Sequence, residues 1–116
     1  MKIRNFLNVP MVQENIHDGI GLCDHCALWE VDDFDAPIRF LNYTIIPAGC
    51  SFGQHQHGDD NEIYIVLEGE GDYTENGETV HVVPGDVMMN ARFASHGIVN
   101  TTDVPLRLLV IEGYNR

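Results

Sequence analysis

Four side chains with metal-binding chemistry stand in the middle and later part of the chain: His55, His57 and Glu62 at short spacings and, further on, His96. Residues i and i+2 of a β-strand point to the same face, so His55 and His57 would project together. Glu62 follows a predicted turn, and as part of a hairpin partner it can reach the same two imidazoles. An inward-facing carboxylate needs a partner, which a cation would supply. The four residues therefore predict a metal centre.

Three imidazole nitrogens and one carboxylate oxygen form a donor set that suits transition metals rather than Ca²⁺ or Mg²⁺. We expect one divalent ion, and Fe, Mn, Co, Ni, Cu and Zn all remain open as its identity. Around an octahedral ion, four protein ligands leave two positions for water or substrate, which is where metal-assisted chemistry begins.

The elements that must position these ligands are predicted to be short strands. Apolar residues alternate or come in short runs, and Gly, Pro, Asn and Asp interrupt them at short intervals. The dipeptide Asn76-Gly77 is typical of a tight hairpin turn. We predict a turn at 58–61, an acidic loop at 31–35, and strands near residues 21–29, 39–46, 52–57, 62–68, 72–75, 78–83, 87–90, 96–100 and 106–112.

The length of 116 residues provides one domain's worth of chain. An all-β chain of this size must protect the edges of its sheets, which favours a closed or double-sheet barrel. An open sandwich is the alternative. Exposed sheet edges also invite pairing between chains, so we expect a homodimer.

The composition is strongly acidic, with 18 Asp and Glu against 6 Lys and Arg and a formal net charge of −12. This balance argues against nucleic acid and against an anionic membrane surface as partners. No apolar run approaches the ~20 residues of a membrane helix, and residues 1–6 lack the apolar segment of a signal peptide. We therefore expect a cytoplasmic protein whose partner is a small molecule.

The stretch from Gly49 to Gly69 resembles the first motif of the cupin family. It reads Gly49-x5-His55-x-His57-x4-Glu62-x6-Gly69, which agrees with the family pattern at every position. Several residue types must coincide at fixed offsets for this agreement, so the signal is specific.

The second cupin motif, G-x5-P-x-G-x2-H-x3-N, has its counterpart in residues 85–100. Gly85, His96 and Asn100 are in place, whereas Ala91 stands where the family has Pro and Phe93 where it has Gly. The spacing is kept and the turn residues are not, so the resemblance departs from the family pattern in the backbone before His96.

The resemblance implies a single cupin domain over residues 1–116, with core motifs at 49–69 and 85–100, folded as a double-stranded β-helix, or jelly roll. It also implies metal ligation by the four residues above. Known cupins include dioxygenases, decarboxylases, isomerases and lyases. We favour a metal-dependent, dioxygenase-like enzyme for a small organic substrate. The alternatives are a sugar or sugar-acid isomerase or lyase, and a non-catalytic small-molecule-binding or sensing module.

No catalytic residue beyond the metal ligands is assigned. Two arginines in strand patterns, Arg39 and Arg107, would bind a substrate carboxylate if they face inward, and they contact solvent otherwise. The other candidates for the substrate pocket, each with ordinary barrel core as the alternative, are Tyr43, Phe52, Tyr64, Met88 and Phe93.

Three cysteines, Cys23, Cys26 and Cys50, are an odd number and fit free thiols. Cys23 and Cys26 would point to opposite faces of a strand, which favours small strand residues over a redox pair.

Overall fold

The structure, a computed structural model, describes residues 1–115. Their regular elements are ten strands and one short 3-10 turn, which loops connect. The strands are β1 (Val12–Glu14), β2 (Cys23–Glu30), β3 (Ile38–Ile46), β4 (Ser51–Gln56), β5 (Asp60–Glu68), β6 (Gly71–Glu75), β7 (Glu78–Val82), β8 (Val87–Met89), β9 (Ser95–Val99) and β10 (Leu106–Tyr114). The 3-10 turn, Val31–Asp33, follows β2. Within these residues, no helix has the length and apolar character needed to cross a membrane.

The strands form two antiparallel sheets. The six-stranded sheet has the order β1-β2-β3-β10-β5-β8, and the four-stranded sheet has the order β4-β9-β6-β7. Inward side chains of both sheets share one core, so the sheets face each other as the two layers of a jelly roll. The prediction of an all-β, double-sheet barrel is confirmed.

Burial alternates along the strands because one face of each sheet lies against the core. In β5, Glu62, Tyr64 and Val66 are buried, and the residues between them are half-buried. Leu106 and Leu108 of β10 are fully inaccessible. Complete burial of an aliphatic side chain of this size stabilises the fold by about 1.5–3 kcal/mol.

The outer face of the six-stranded sheet carries a second apolar cluster, built on Cys26, Leu28 and Tyr43. Phe6, in the N-terminal segment, covers this cluster, and the centroid of its ring lies 4.5 Å from that of Tyr43. Cys23 belongs instead to the core between the sheets. Cys23 and Cys26 therefore face opposite sides of β2, and both are free thiols.

The strand boundaries agree with the prediction to within a few residues, with three corrections. Strand β5 begins at Asp60, so the predicted turn at 58–61 is shorter than expected. The acidic loop contains the 3-10 turn, which Glu30 and Asp33 cap. The edge strand β1 was not predicted, because its three residues are all exposed and carry no apolar alternation.

The loop at residues 15–21 lies along β4 and closes one side of the barrel. The Gly53 N–H donates to the Ile16 carbonyl at 3.1 Å, and the Ser51 N–H donates to the Ile20 carbonyl at 3.0 Å. A Cβ on Gly53 would lie 1.9 Å from the His17 carbonyl oxygen, so this contact requires glycine. His17 itself adopts a left-handed φ of 53°.

Candidate metal centre

The four candidate ligands come from three strands in the two facing sheets. His55 on β4 pairs in register with His96 on β9, which sets their imidazoles side by side. His57 follows β4, where its N–H donates to the Ala94 carbonyl at 3.0 Å. Glu62 lies on β5 in the opposite sheet, so the prediction of a hairpin partner is wrong. The carboxylate instead approaches the imidazoles across the interior of the barrel.

The donor atoms of these four residues all lie within 4.8 Å of one another. The Nε2 atoms of His57 and His96 are 2.9 Å apart. The Oε1 atom of Glu62 is 3.0 Å from His96 Nε2, 3.4 Å from His57 Nε2 and 3.8 Å from His55 Nε2. Ligand atoms held around one ion at ~2.1 Å lie roughly 3–3.5 Å apart, so the cluster has the dimensions to hold a transition metal.

Hydrogen bonds at Nδ1 fix the protonation of two of the imidazoles. His55 Nδ1 donates to the Gly53 carbonyl at 2.7 Å. His57 Nδ1 donates to the Asp60 carboxylate at 3.1 Å. Because the proton sits on Nδ1 in each neutral ring, the Nε2 lone pair points into the cluster.

Two successive hydrogen bonds fix the protonation of the third imidazole, that of His96. The Tyr73 hydroxyl donates its only proton to Glu75 at 2.7 Å. Its oxygen therefore accepts from His96 Nδ1, which lies 2.9 Å away. His96 thus presents an Nε2 lone pair as well, and its side chain is fully buried.

This convergence of acceptors fits a bound cation. Three nitrogen lone pairs and a carboxylate repel one another at these distances unless a positive charge lies between them. His55 Nε2 is buried and has no hydrogen-bond partner among the described residues. Buried polar atoms are normally satisfied, and a metal ion would satisfy this one together with the other three.

In the metal-free cluster, the close approach of Glu62 to the imidazoles shifts the pKa values of Glu62 and His57. Burial acts to raise the pKa of Glu62, but the three imidazoles that face its carboxylate outweigh it and hold the pKa well below its usual range. The hydrogen bond with Glu62 raises the pKa of His57 to about 9. A proton on His57 therefore occupies the cluster at neutral pH when no metal is bound.

Two buried carboxylates, Asp60 and Glu112, lie behind His57. Glu112 Oε1 is 3.5 Å from His57 Nδ1, and Glu112 Oε2 is 3.5 Å from Nε of Arg39 on the surface. Burial, followed by the hydrogen bond with Asp60, raises the pKa of Glu112 to about 7. This pair orients His57 and increases the basicity of its Nε2.

We expect Asp60→Ala to weaken metal binding by about 10–100-fold, because His57 would lose the acceptor that orients it. Competition with a chromophoric chelator measures the affinity for Zn²⁺. Asp59→Ala is the matched control, since Asp59 is exposed and pairs with Arg92 on the surface at 3.0 Å. Equal affinities in the two variants would show that the Asp60 contact does not support the site.

A cavity of about 220 Å³ adjoins the cluster. Glu62 and Tyr64 form the end nearest the imidazoles, and Phe52 forms part of the wall. The Tyr64 hydroxyl lies 3.3 Å from His96 Nε2. Burial raises the pKa of Tyr64 well above its usual value, so this hydroxyl remains a proton donor. The cavity is smaller than the ~300–1,000 Å³ of drug-sized sites, which indicates a small ligand.

Of the seven candidate substrate-binding residues, only Phe52 and Tyr64 line this cavity. Tyr43 faces the outer apolar cluster, where its hydroxyl accepts a hydrogen bond from Arg107 at 2.8 Å. Arg107 also pairs with Glu68 at 3.3 Å. Tyr43 and Arg107 therefore lie on the opposite face of the sheet from the metal cluster.

The other three candidates also lie outside the cavity. The Arg39 side chain is half exposed and contacts the buried carboxylate of Glu112. Met88 borders a separate groove at the edge of the barrel. Phe93 is exposed in the loop before β9.

Two histidines at the cavity were not predicted as site residues. The His17 ring stacks on His55, with centroids 3.6 Å apart and an interplanar angle of 12°. His25 lines the cavity from β2. No spacing rule connects these residues to His55, because the fold of the 15–21 loop and the sheet register bring them there.

The loop before β9 makes a tight turn at Phe93, where the second motif has glycine. Phe93 adopts a left-handed φ of 63°, a conformation that glycine takes without strain. Its N–H donates to the Gly58 carbonyl at 2.9 Å, and its carbonyl accepts from Gln56 at 3.1 Å. These two bonds hold the turn, and His96 reaches the cluster despite the substitution.

Comparison with known proteins places this geometry in a family. The family model described as "Cupin domain" matches residues 42–112, which contain all four candidate ligands. The chain belongs to the cupin family. As in other cupins, two facing sheets surround the candidate metal centre.

A curated sequence and a solved structure, both from Thermotoga maritima, are similar to nearly the whole chain. A protein named "Oxalate-binding protein" is 31% identical over 111 residues, which cover 96% of this cupin and 92% of the relative. A crystal structure described as a predicted oxalate decarboxylase has a TM-score of 0.95 at 27% identity, covering 98% of this cupin and 100% of that chain. The polyketide cyclase RemF from Streptomyces resistomycificus, at 21% identity and a TM-score of 0.81, shares the fold and covers 100% of this cupin and 81% of that chain.

Proposed function

We propose that this cupin binds one divalent transition metal through His55, His57, Glu62 and His96. The observation that carries the proposal is the convergence of three Nε2 lone pairs on the Glu62 carboxylate, with His55 Nε2 buried and unpartnered. The Nδ1 hydrogen bonds support it, because they prepare the imidazoles as metal ligands in advance.

We propose further that the ligand of the metal-loaded protein is a small carboxylate, with oxalate as its first representative. The small volume of the cavity supports a compact ligand. The printed name of the 31% identical relative supports a carboxylate that can offer two oxygens to one ion. None of the described residues lining the cavity is Lys or Arg, so the metal would supply the positive charge that a carboxylate needs.

The residues around the centre would each have a defined part in binding. A bound divalent ion would supply Lewis-acid chemistry at the carboxylate, or a site for O₂ activation. The Tyr64 hydroxyl would donate a hydrogen bond to a carboxylate oxygen, as its raised pKa keeps it protonated. Phe52 packs edge-on against Tyr64 with ring centroids 5.6 Å apart and excludes water from that side.

Calorimetric titration of the metal-loaded protein with oxalate tests this function. We expect binding that disappears after the metal is removed and returns when it is restored. Formate, which has a single carboxylate, should bind at least about tenfold more weakly, because its second contact is missing. Oxalate binding of equal strength with and without metal would contradict the proposal.

A second candidate function is turnover of the bound acid, either decarboxylation or an O₂-dependent, dioxygenase-like reaction. The observation that favours it is a protonated hydroxyl, that of Tyr64, buried beside a set of nitrogen and oxygen donors that suits redox-active metals such as Fe and Mn. Reloading the protein with each metal and measuring CO₂, formate and O₂ consumption distinguishes the candidates. Product formation supports an enzyme, and binding without turnover under every metal supports a binding module.

Homodimer formation and a cytoplasmic location stay predictions. The exposed edge strands β1 and β7 are the surfaces where a second chain would pair. Sedimentation of the metal-loaded protein at micromolar concentration tests the oligomeric state, and a monomer would contradict the prediction.

A further inference from the structure

The cavity extends from the metal cluster across the six-stranded sheet. Tyr64 on β5 is in register with Val110 on β10, which is in register with Asn42 on β3. Thr44 on β3 is in turn paired with His25 on β2. All five residues line the cavity. Neighbouring strands lie about 4.8 Å apart, so Asn42, Thr44 and His25 form the end of the cavity remote from the metal.

This remote end contains polar side chains whose hydrogen bonds are incomplete. Asn42 is only 9% exposed, and its Oδ1 atom has no hydrogen-bond partner among the described residues. A buried amide oxygen without a partner carries an uncompensated cost of desolvation. Beside it, His25 Nδ1 lies 3.2 Å from the Thr44 hydroxyl. Because this cost falls inside a cavity, a ligand group that completes the hydrogen bonds would recover it.

The charges around the remote end disfavour an anion. Glu14 Oε1 is 3.6 Å from His25 Nε2 and contributes a negative charge at the edge of the cavity. His25 is the nearest group that could become positive, and burial lowers its pKa. The residues that line the cavity include no Lys or Arg among those the structure describes. Arg39 borders a neighbouring groove with His25 and Asn42, but Glu112 already pairs with it at 3.5 Å. A second carboxylate or a phosphate at this end would therefore meet repulsion from Glu14 without a free cation among the described cavity-lining residues.

We propose that His25, Asn42 and Thr44 form a subsite for an uncharged hydrogen-bonding group at the end of the ligand remote from the metal. This inference rests on the metal-dependent carboxylate binding proposed above and narrows its ligand class. The preferred ligands are small acids that chelate the metal at one end and carry a hydroxyl, carbonyl or amide at the other. Oxalate would occupy the metal end and leave the subsite unused.

A matched set of 2-oxo acids tests the subsite by calorimetry on the metal-loaded protein. All members offer the same chelating head, and the tails differ only at the remote group. Hydroxypyruvate and 2-oxobutyrate compare a hydroxyl with a methyl, and oxaloacetate carries a carboxylate. A second set, one carbon longer, consists of 4-hydroxy-2-oxobutyrate, 2-oxopentanoate and 2-oxoglutarate. The two sets together test two distances between the chelating head and the remote group.

At one of the two lengths, we expect the hydroxyl compound to bind about tenfold or more tightly than its methyl and carboxylate counterparts. A site built to hydrogen-bond a ligand hydroxyl discriminates against analogues that lack it. Equal binding of hydroxyl and methyl compounds at both lengths would overturn the subsite. Tighter binding of the carboxylate compounds would overturn its proposed neutrality.

Two variants test whether Asn42 and Thr44 cause the preference for the hydroxyl compound. Asn42→Leu removes the amide at similar volume, and Thr44→Val replaces the hydroxyl with a methyl group. We expect each to reduce the hydroxyl preference to less than about threefold while oxalate binds as before. Thr44→Val is the milder change and keeps the test decisive if Asn42→Leu does not fold.

Oxalate separates failure of the subsite from failure of the proposed function. If oxalate binds the metal-loaded wild-type protein but the hydroxyl preference persists in both variants, the subsite is wrong and the carboxylate function stands. If oxalate and all six 2-oxo acids fail to bind the metal-loaded protein, the proposed function itself is wrong.

Discussion

His96→Ala and His57→Ala should each reduce metal affinity by at least about 100-fold. Loss of a residue that only orients a ligand costs about 10–100-fold, and removal of a ligand should cost more. His96 is the more sensitive position, because its side chain is fully buried and contacts both His57 Nε2 and Glu62 at about 3 Å. Elemental analysis of the proteins as isolated, followed by chelator competition with Zn²⁺, measures the loss.

His81→Ala is the matched control for these substitutions. His81 also contacts two carboxylates, Glu70 and Asp72, each at 2.9 Å, but its side chain is half exposed on the surface. We expect this variant to retain the wild-type metal content. A loss as large as that of His96→Ala would show that the metal is bound on the surface instead of in the barrel.

Metal removal should invert the dependence of stability on pH. In the metal-free protein, the pKa of His57 is raised from 6.5 to about 9 by its hydrogen bond with Glu62. Protonated His57 therefore stabilises the metal-free fold fully below pH 6.5, and this stabilisation is lost as the pH rises through 9. The pKa of Glu112, raised by burial to about 7, acts in the same direction. The His57 shift corresponds to at most about 3 kcal/mol, or roughly 10 °C in Tm.

The metal-loaded protein should behave in the opposite way. A bound ion needs the unprotonated Nε2 of His57, so the stabilisation by metal grows as the proton leaves. We expect the difference in Tm between metal-loaded and metal-free protein to increase from pH 6 to 9. Thermal unfolding of both forms across this range measures the difference. A Tm of the metal-free protein that stays constant or rises over this range would contradict the assignment of the shared proton to His57.

The metal-free form of His57→Gln should lose most of this pH dependence, because it lacks the group that titrates. His81→Ala should retain it, because the surface contacts of His81 are screened by solvent. The comparison also distinguishes His57 from Glu62. The pKa of Glu62 is held low by the imidazoles, and its contribution is lost only as the pH falls towards the acid range.

The convergence of the four candidate ligands could be predicted in part because local rules and a family motif point to it. Alternation along a strand makes His55 and His57 share a face, and the motif spacing adds Glu62 and His96. The structure brings their donor atoms within 4.8 Å. The sheet to which each strand belongs could not be predicted, since strand pairing depends on long-range contacts. This is why Glu62 was expected beside the histidines, when it lies opposite them.

The residues around the cluster could not be predicted for a different physical reason. Both faces of β3 are covered, one by the core and the other by the N-terminal segment, so apolar residues give no clear alternation. Tyr43 therefore resembles a pocket residue although it faces outward, while its neighbour Asn42 faces the cavity. Glu112 reaches the cluster through the pairing of β10 with β5, which has no local signal.

The segment that the family model matches begins at residue 42 and contains only part of the cavity wall. The four candidate metal ligands lie in the family-matched segment 42–112. Glu14, Ile16, His17, His25 and Phe40 of the cavity wall precede it, and backbone hydrogen bonds from Gly53 to Ile16 and from Ser51 to Ile20 hold the 15–21 loop against β4. Because backbone contacts tolerate sequence change, side chains of this loop other than His17, which stacks on His55, can vary without disturbing the candidate metal centre. The wall residues before position 42 can thus change while the four candidate ligands stay, whereas Asn42 and Thr44 of the proposed subsite change only with the matched segment.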